Sequence, residues 1–159
     1  MNTKLLGAFA AVALLAACGS GTEQSSAATG GGAETTASGP RPGSQEDLVA
    51  NIGDRVFFDT DRSSVRADQR TVLERQAGWL ARYPQVQVAV EGHADERGTR
   101  EYNLALGQRR ANSARDVLVA SGVAPARIAT ISYGKDRPAA LGSNEQAWSQ
   151  NRRAVTVVR

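Results

Sequence analysis

The stretch Val90-Glu91-Gly92-His93-Ala94-Asp95-Glu96-Arg97-Gly98-Thr99-Arg100-Glu101-Tyr102-Asn103-Leu104-Ala105-Leu106-Gly107-Gln108-Arg109-Arg110-Ala111 decides the reading of this chain. It opens as the end of a strand, because Val86, Val88 and Val90 alternate with more polar neighbours. A charged loop bracketed by Gly92 and Gly98 follows. From Thr99 the spacing changes to that of a helix, with Leu104, Leu106, Ala111, Ala114, Val117 and Leu118 apolar. Gly122 is placed to end it. Loops at strand ends commonly carry binding groups on a rigid frame. Asn103, Leu106 and Arg110 stand at i, i+3 and i+7 and share one helix face, which can look toward the loop carrying Asp95. Two readings of that juxtaposition stay open. A carboxylate and a guanidinium across a cleft suit a zwitterion, with Asp95 on an ammonium and Arg110 on a carboxylate through two parallel hydrogen bonds. Alternatively Asp95 and Arg110 form a structural ion pair with no ligand, and spacing alone favours this.

Outward from this stretch the pattern alternates strands and helices. Val56-Phe57-Phe58 reads as a short buried strand. Ala67 to Arg82 reads as a helix whose Val72, Leu73, Gln76, Trp79 and Leu80 recur at three- and four-residue intervals. It is stopped by Tyr83-Pro84, since a residue before proline avoids the helical region. Ile128 to Ser132 is a further strand, Asn144 to about Gln150 a short helix with Trp148 facing the core, and Ala154 to Val158 a last strand. Trp79 is likewise expected in the core. The order β-α-β-α-β-(short α)-β predicts an α/β fold, a two-layer sandwich around one sheet. The pattern gives neither strand order nor strand orientation.

The N-terminal third has a different composition. Residues 1–17 carry one charge, Lys4, and an apolar run from Leu5 to Leu15, the length of a secretory signal core and short of the roughly 20 residues of a membrane span. The run ends Leu15-Ala16-Ala17-Cys18, and Cys18 is the chain's single cysteine. Small residues before a cysteine resemble a bacterial lipoprotein cleavage site. That resemblance implies cutting before Cys18, with a diacylglycerol on its thiol and an acyl chain on its new amine. Several acyl chains at about 0.8 kcal/mol per methylene give stable anchoring. Gly19 rather than Asp follows the cysteine, which favours the outer membrane. Residues 18–44 are Gly, Ser, Thr and Ala with almost no large apolar side chain, the composition of a flexible tether. Such a coil has an end-to-end distance of roughly 30 Å and reaches about 90 Å when extended. The folded domain is expected over 45–159.

Several function classes can be set aside. One His beside carboxylates lacks the spaced ligands of a metal site, so His93 is assigned to orienting the loop by hydrogen bonds, and no metal or cofactor is expected. No nucleophile and base pair is visible. Asp59, Asp61 and Glu91 are better read as a capped turn and a surface acid than as glycosidase carboxylates. The formal charge is only +3. Arg109-Arg110 and Arg152-Arg153 sit among acids without stacking aromatics, which argues against nucleic acid. A wall hydrolase or transferase carrying this domain is the alternative from another class, but no residues remain for a catalytic domain.

The motifs Gly92-His93-Ala94-Asp95, Gly98, Tyr102-Asn103, Leu106 and Arg110-Ala111 together resemble the OmpA-like peptidoglycan-binding domain family. Val56-Phe57-Phe58-Asp59-Thr60-Asp61 upstream, and Ser132-Tyr133-Gly134-Lys135, Pro138 and Asn151-Arg152-Arg153-Ala154-Val155 downstream, extend the resemblance over about 54–159. The cysteine at the signal boundary and the tether point to a lipid-anchored branch of that family. A flagellar stator protein would need a transmembrane helix, and outer-membrane members need a barrel. The resemblance implies that the sheet is mixed, and that the chain is a non-catalytic binder of peptidoglycan through the meso-diaminopimelate of the stem peptide. It implies Asp95 and Arg110 as primary ligand groups, Asn103 bonding the peptide, Leu106 packing its aliphatic part, and the Thr60-Asp61-Arg62 turn as donors and wall. Thr60 stands where relatives often carry an aromatic residue, and Ala94 where they carry Thr. The resemblance further implies outer-membrane attachment through Cys18, a place in the Tol system, and a periplasmic TolB partner competing with the wall.

Overall fold

A computed structural model describes residues 39–159. The signal segment, Cys18 and all but the end of the tether lie outside the described residues. The elements run α1 (Gln45–Asn51), β1 (Arg55–Phe57), α2 (Ala67–Arg82), β2 (Val88–His93), α3 (Arg100–Ala120), a 3-10 turn (Pro125–Arg127), β3 (Ile128–Gly134), α4 (Glu145–Asn151) and β4 (Arg153–Val158). None of the described helices is long and apolar enough to cross a membrane.

The four strands form one mixed sheet in the order β1-β4-β2-β3. β4 is antiparallel to both β1 and β2, while β2 and β3 run parallel. Parallel neighbours need a long crossover, and α3 supplies it. Val88, Val90, Ile128 and Ala154 point from the sheet into a core completed by Leu73, Ala77, Trp79 and Leu80 of α2 and by Ala111, Ala114, Val117 and Leu118 of α3. The opposite face keeps Ile131 41% exposed. This is the expected two-layer α/β sandwich.

Local sequence accounts for the helix ends. Thr99 is not the first helical residue but the cap of α3, its Oγ1 accepting the Tyr102 N–H at 3.2 Å. At the other end Gly122 has φ 98°. Gly122 N–H bonds Val119 O and Val123 N–H bonds Leu118 O, the paired bonds by which a left-handed glycine closes a helix. β2 begins two residues later than the alternation suggests, because the Val86 N–H is turned back onto Tyr83 O at 3.1 Å.

One contact sets the site. A β-carbon on Gly92 would lie 1.8 Å from Gly107 O, and one on Gly107 would lie 2.8 Å from Gly92 O. The backbones of α3 and β2 therefore touch, which only glycine on both sides permits. That approach lays the Asn103, Leu106 and Arg110 face against the loop leaving β2.

The two tryptophans part ways, one placed as expected and one not. Trp79 is buried, its indole N–H donating to Asp47 Oδ2 at 2.9 Å. Trp148 does not face the core. The buried residue at this point of α4 is Ala147, and Trp148 lies half-buried beside the β2–α3 loop, donating to Glu96 Oε1 at 3.0 Å. A helix of seven residues has one buried stripe, and Ala147 and Asn151 fill it.

Candidate functional site

The loop after β2, the first turns of α3 and the turn after β1 enclose an open cleft of about 250 Å³. It is lined by all six residues singled out above, Thr60, Asp61, Asp95, Asn103, Leu106 and Arg110, and also by Arg97, Gly98 and Tyr102. Leu106 is its apolar floor, 5% exposed.

Arg110 is 1% exposed. Its Nε donates to Arg62 O at 2.8 Å, Nη1 to His93 O at 2.8 Å and Nη2 to Asp59 O at 3.1 Å. Its guanidinium also lies 5.3 Å from the centre of the Phe58 ring. Three of its five N–H groups thus knit α3 to the β1–α2 turn and to β2. Burial pulls its pKa down to about 10, opposed by the field of Asp95, so it stays charged at neutral pH.

Asp95 is 7% exposed. Its Oδ1 accepts from the Arg97 backbone N–H at 3.1 Å and from Arg97 Nε at 3.2 Å. Its Oδ2 accepts from Arg97 Nη2 at 2.6 Å and Arg152 Nη1 at 3.5 Å. Burial works to raise the pKa of this carboxyl. The Arg97 and Arg152 bonds outweigh burial and hold it below the usual carboxylate range. No hydrogen bond or ion pair joins Asp95 to Arg110, so the ligand-free ion pair favoured by spacing does not form. The two opposite charges line one cleft, each held by other partners.

The remaining expected residues hold the cleft's walls. Asn103, 2% exposed, donates its Nδ2 to Arg97 O at 2.8 Å and so fixes the loop. The turn after β1 gives its Asp59 and Arg62 carbonyls to Arg110, and the Arg62 N–H bonds Asp59 O within the turn at 3.2 Å. Asp61 sits at φ 56°, a left-handed conformation that Asp tolerates better than most residues, and its carboxylate accepts the Tyr102 hydroxyl. His93 does not orient the loop through its ring, since both ring nitrogens are buried without a hydrogen-bond partner. Burial, with Arg153 and Arg137 adding to it, lowers its pKa to about 4, so the ring is neutral and packs on Tyr133. The part His93 plays is its carbonyl, which receives Arg110.

Arg97, Tyr102 and Arg152 carry weight that sequence reasoning missed. Arg152 is 6% exposed, bonds Phe58 O at 3.1 Å and pairs with Glu145 as well as Asp95. It is 57 residues from Asp95, beyond any local spacing signal. Among the described residues no group of three or more His, Cys, Asp or Glu stands ready to hold a metal ion.

The sequence profile of the OmpA family matches residues 57–152. A peptidoglycan-associated lipoprotein of Mesorhizobium japonicum is 56% identical over 155 residues, 95% of this chain and 89% of that one. Another, of Agrobacterium fabrum, is 62% identical over 117 residues, 74% of this chain and 66% of that one. The crystal structure of the peptidoglycan-associated lipoprotein from Burkholderia pseudomallei superposes with a TM-score of 0.67 at 41% identity, covering 71% of this chain and 100% of that one. The fold, the run of motifs and these similarities agree: the chain belongs to the OmpA family and groups with its peptidoglycan-associated lipoproteins.

Proposed function

We propose that this chain is a non-catalytic outer-membrane lipoprotein that grips peptidoglycan by the meso-diaminopimelate of its stem peptide. The observation that carries this reading is the pair of buried opposite charges, Asp95 and Arg110, that line one cleft without bonding each other. The free end of diaminopimelate is an ammonium beside a carboxylate. Asp95 offers a negative charge, its pKa held below the usual carboxylate range. Arg110 keeps two N–H groups beyond its three carbonyl bonds, and a guanidinium suits a carboxylate better than a lysine does. Leu106 meets the aliphatic stem, while Thr60 and Asp61 flank it. Every bond in such a complex is reversible, so attachment can break and re-form as the wall grows. The domain reading 45–159, with a signal segment over 1–17 and a tether over 18–44, supports a membrane-to-wall staple. The resemblance also supports a place in the Tol system at constriction, with TolB competing for the domain.

Two measurements test this. The full-length chain should sediment with diaminopimelate-type wall, and less with lysine-type wall. Asp95→Asn, which keeps the shape and removes the charge, should lose at least tenfold in affinity, about 1.4 kcal/mol. Undiminished sedimentation of this variant would sink the site, and turnover of the wall would favour the enzyme alternative. Cys18→Ser should move the protein from the membrane fraction to the soluble fraction, and retention in the membrane would contradict the lipid anchor.

A further inference from the structure

The Asp95 carboxylate is fully subscribed. An ionised carboxylate offers about four lone-pair positions, and here four donors fill them: the Arg97 backbone N–H, Arg97 Nε, Arg97 Nη2 and Arg152 Nη1. An incoming ammonium therefore has to replace a donor, and the four are not equally replaceable. The Arg97 N–H belongs to a backbone turn whose carbonyl is pinned by Asn103. Arg152 is buried and tied to Phe58 O and Glu145. Only the Arg97 side chain, 39% exposed, can leave into solvent.

That side chain is held from outside as well. The Arg97 guanidinium lies 4.2 Å from the centre of the Trp148 ring, within cation–π range. Its Nη2 reaches Thr60 Oγ1 at 3.5 Å across the mouth of the cleft. Glu96 in turn holds the Trp148 indole. Glu96, Arg97 and Trp148 thus form a clasp that presses the chain's own cation onto Asp95.

We infer that Arg97, clasped by Trp148, holds the ammonium seat at Asp95 and is displaced when a cationic ligand head binds there. The inference rests on the reading that the cleft takes an ammonium at Asp95. The clasp spares Asp95 the cost of standing buried and unpaired. It also sharpens selectivity, because a ligand gains only the difference between its own ammonium and Arg97. A head without a cation cannot make the exchange.

The test uses the full-length chain, a soluble stem peptide carrying meso-diaminopimelate, and intrinsic fluorescence. Removing the internal competitor with Arg97→Gln should tighten binding about three- to tenfold, the range expected for losing one partly exposed ion pair with its ring contact. In the wild type, saturation should change Trp148 emission as the guanidinium leaves the ring, and Trp148→Phe should abolish that change, since Trp79 is buried away from the cleft. Equal or weaker binding by a stably folded Arg97→Gln overturns the inference, as does unchanged wild-type emission at saturation. Failure of both wild type and Arg97→Gln to bind overturns the ammonium reading of the cleft and the inference with it. Binding by Arg97→Gln alone supports both.

Discussion

Gly92→Ala should destabilise the domain by about 3 kcal/mol or more, at the upper end for overpacking, and lower its melting temperature by roughly 10–20 °C. The added methyl would sit 1.8 Å from Gly107 O and 2.5 Å from Gly107 C. Both are backbone atoms of α3, so no side-chain rotation relieves the clash. The helix has to back away from the sheet by more than an ångström. The core side chains Ala111, Ala114 and Leu118 lose their packing as it does so, and Asn103 and Arg110 are carried away from the β2–α3 loop. Gly78→Ala is the matched control. Nothing lies within 4 Å of its added methyl, and on exposed α2 surface alanine is the better helix former, so that variant should be unchanged or slightly more stable. Denaturant unfolding of the two side by side checks the contrast. Equal stabilities would mean that α3 does not bear on β2 as described.

Arg110→Met should lose wall binding and stability together, with a stability cost of about 3–5 kcal/mol, the range for stripping one partner from a buried charged network. Methionine fills much of the aliphatic volume but leaves the carbonyls of Asp59, Arg62 and His93 without their donor. Each such carbonyl, where it stays dry, costs about 1–3 kcal/mol. Arg110→Lys keeps a charge but cannot reach three carbonyls in three directions, so it should restore little. Asp95→Asn should behave differently, losing most binding at a small cost in stability, because Arg152 retains Glu145 and Phe58 O. Calorimetric unfolding beside wall sedimentation separates the two residues. A stable Arg110→Met that fails to bind would assign the arginine to the ligand alone.

The sequence carried the elements well where a single period ran unbroken. α2 was legible to its end residues because Leu73, Gln76, Trp79 and Leu80 keep one stripe and Tyr83-Pro84 stops it. α1 was not, although Ser44 caps it on Asp47 N–H at 3.3 Å. Seven residues whose apolar members, Leu48, Val49 and Ala50, are consecutive show no period to detect. Asp95, Asn103, Leu106 and Arg110 were legible as a group because helix spacing and one loop bring them together, whereas Thr60 and Asp61 came only with the family resemblance. Their partners were not. Trp148 lies 51 positions beyond Arg97, and Arg152 lies 57 beyond Asp95. Such pairings follow from how β4 and α4 return to the sheet, and strand order leaves no mark in local periodicity. Spacing also suggested that Asp95 and Arg110 would satisfy each other. It could not reveal that each had nearer partners, Arg97 for the acid and three carbonyls for the base.

The sheet order has a consequence for the order in which the chain is made. Among the described residues β1 has β4 as its only neighbour, and β4 follows β1 by nearly a hundred residues (Arg55 pairs with Val155). Until β4 emerges, β1 has nothing to pair with and β2 lacks the strand on one of its sides. Arg152, which reaches Phe58 O and Asp95, arrives with that same segment. A nascent chain therefore cannot close this sheet prematurely. The cleft's lining residues are all made earlier, but the Arg152 bonds that brace Asp95 and Phe58 O wait for the segment that delivers β4.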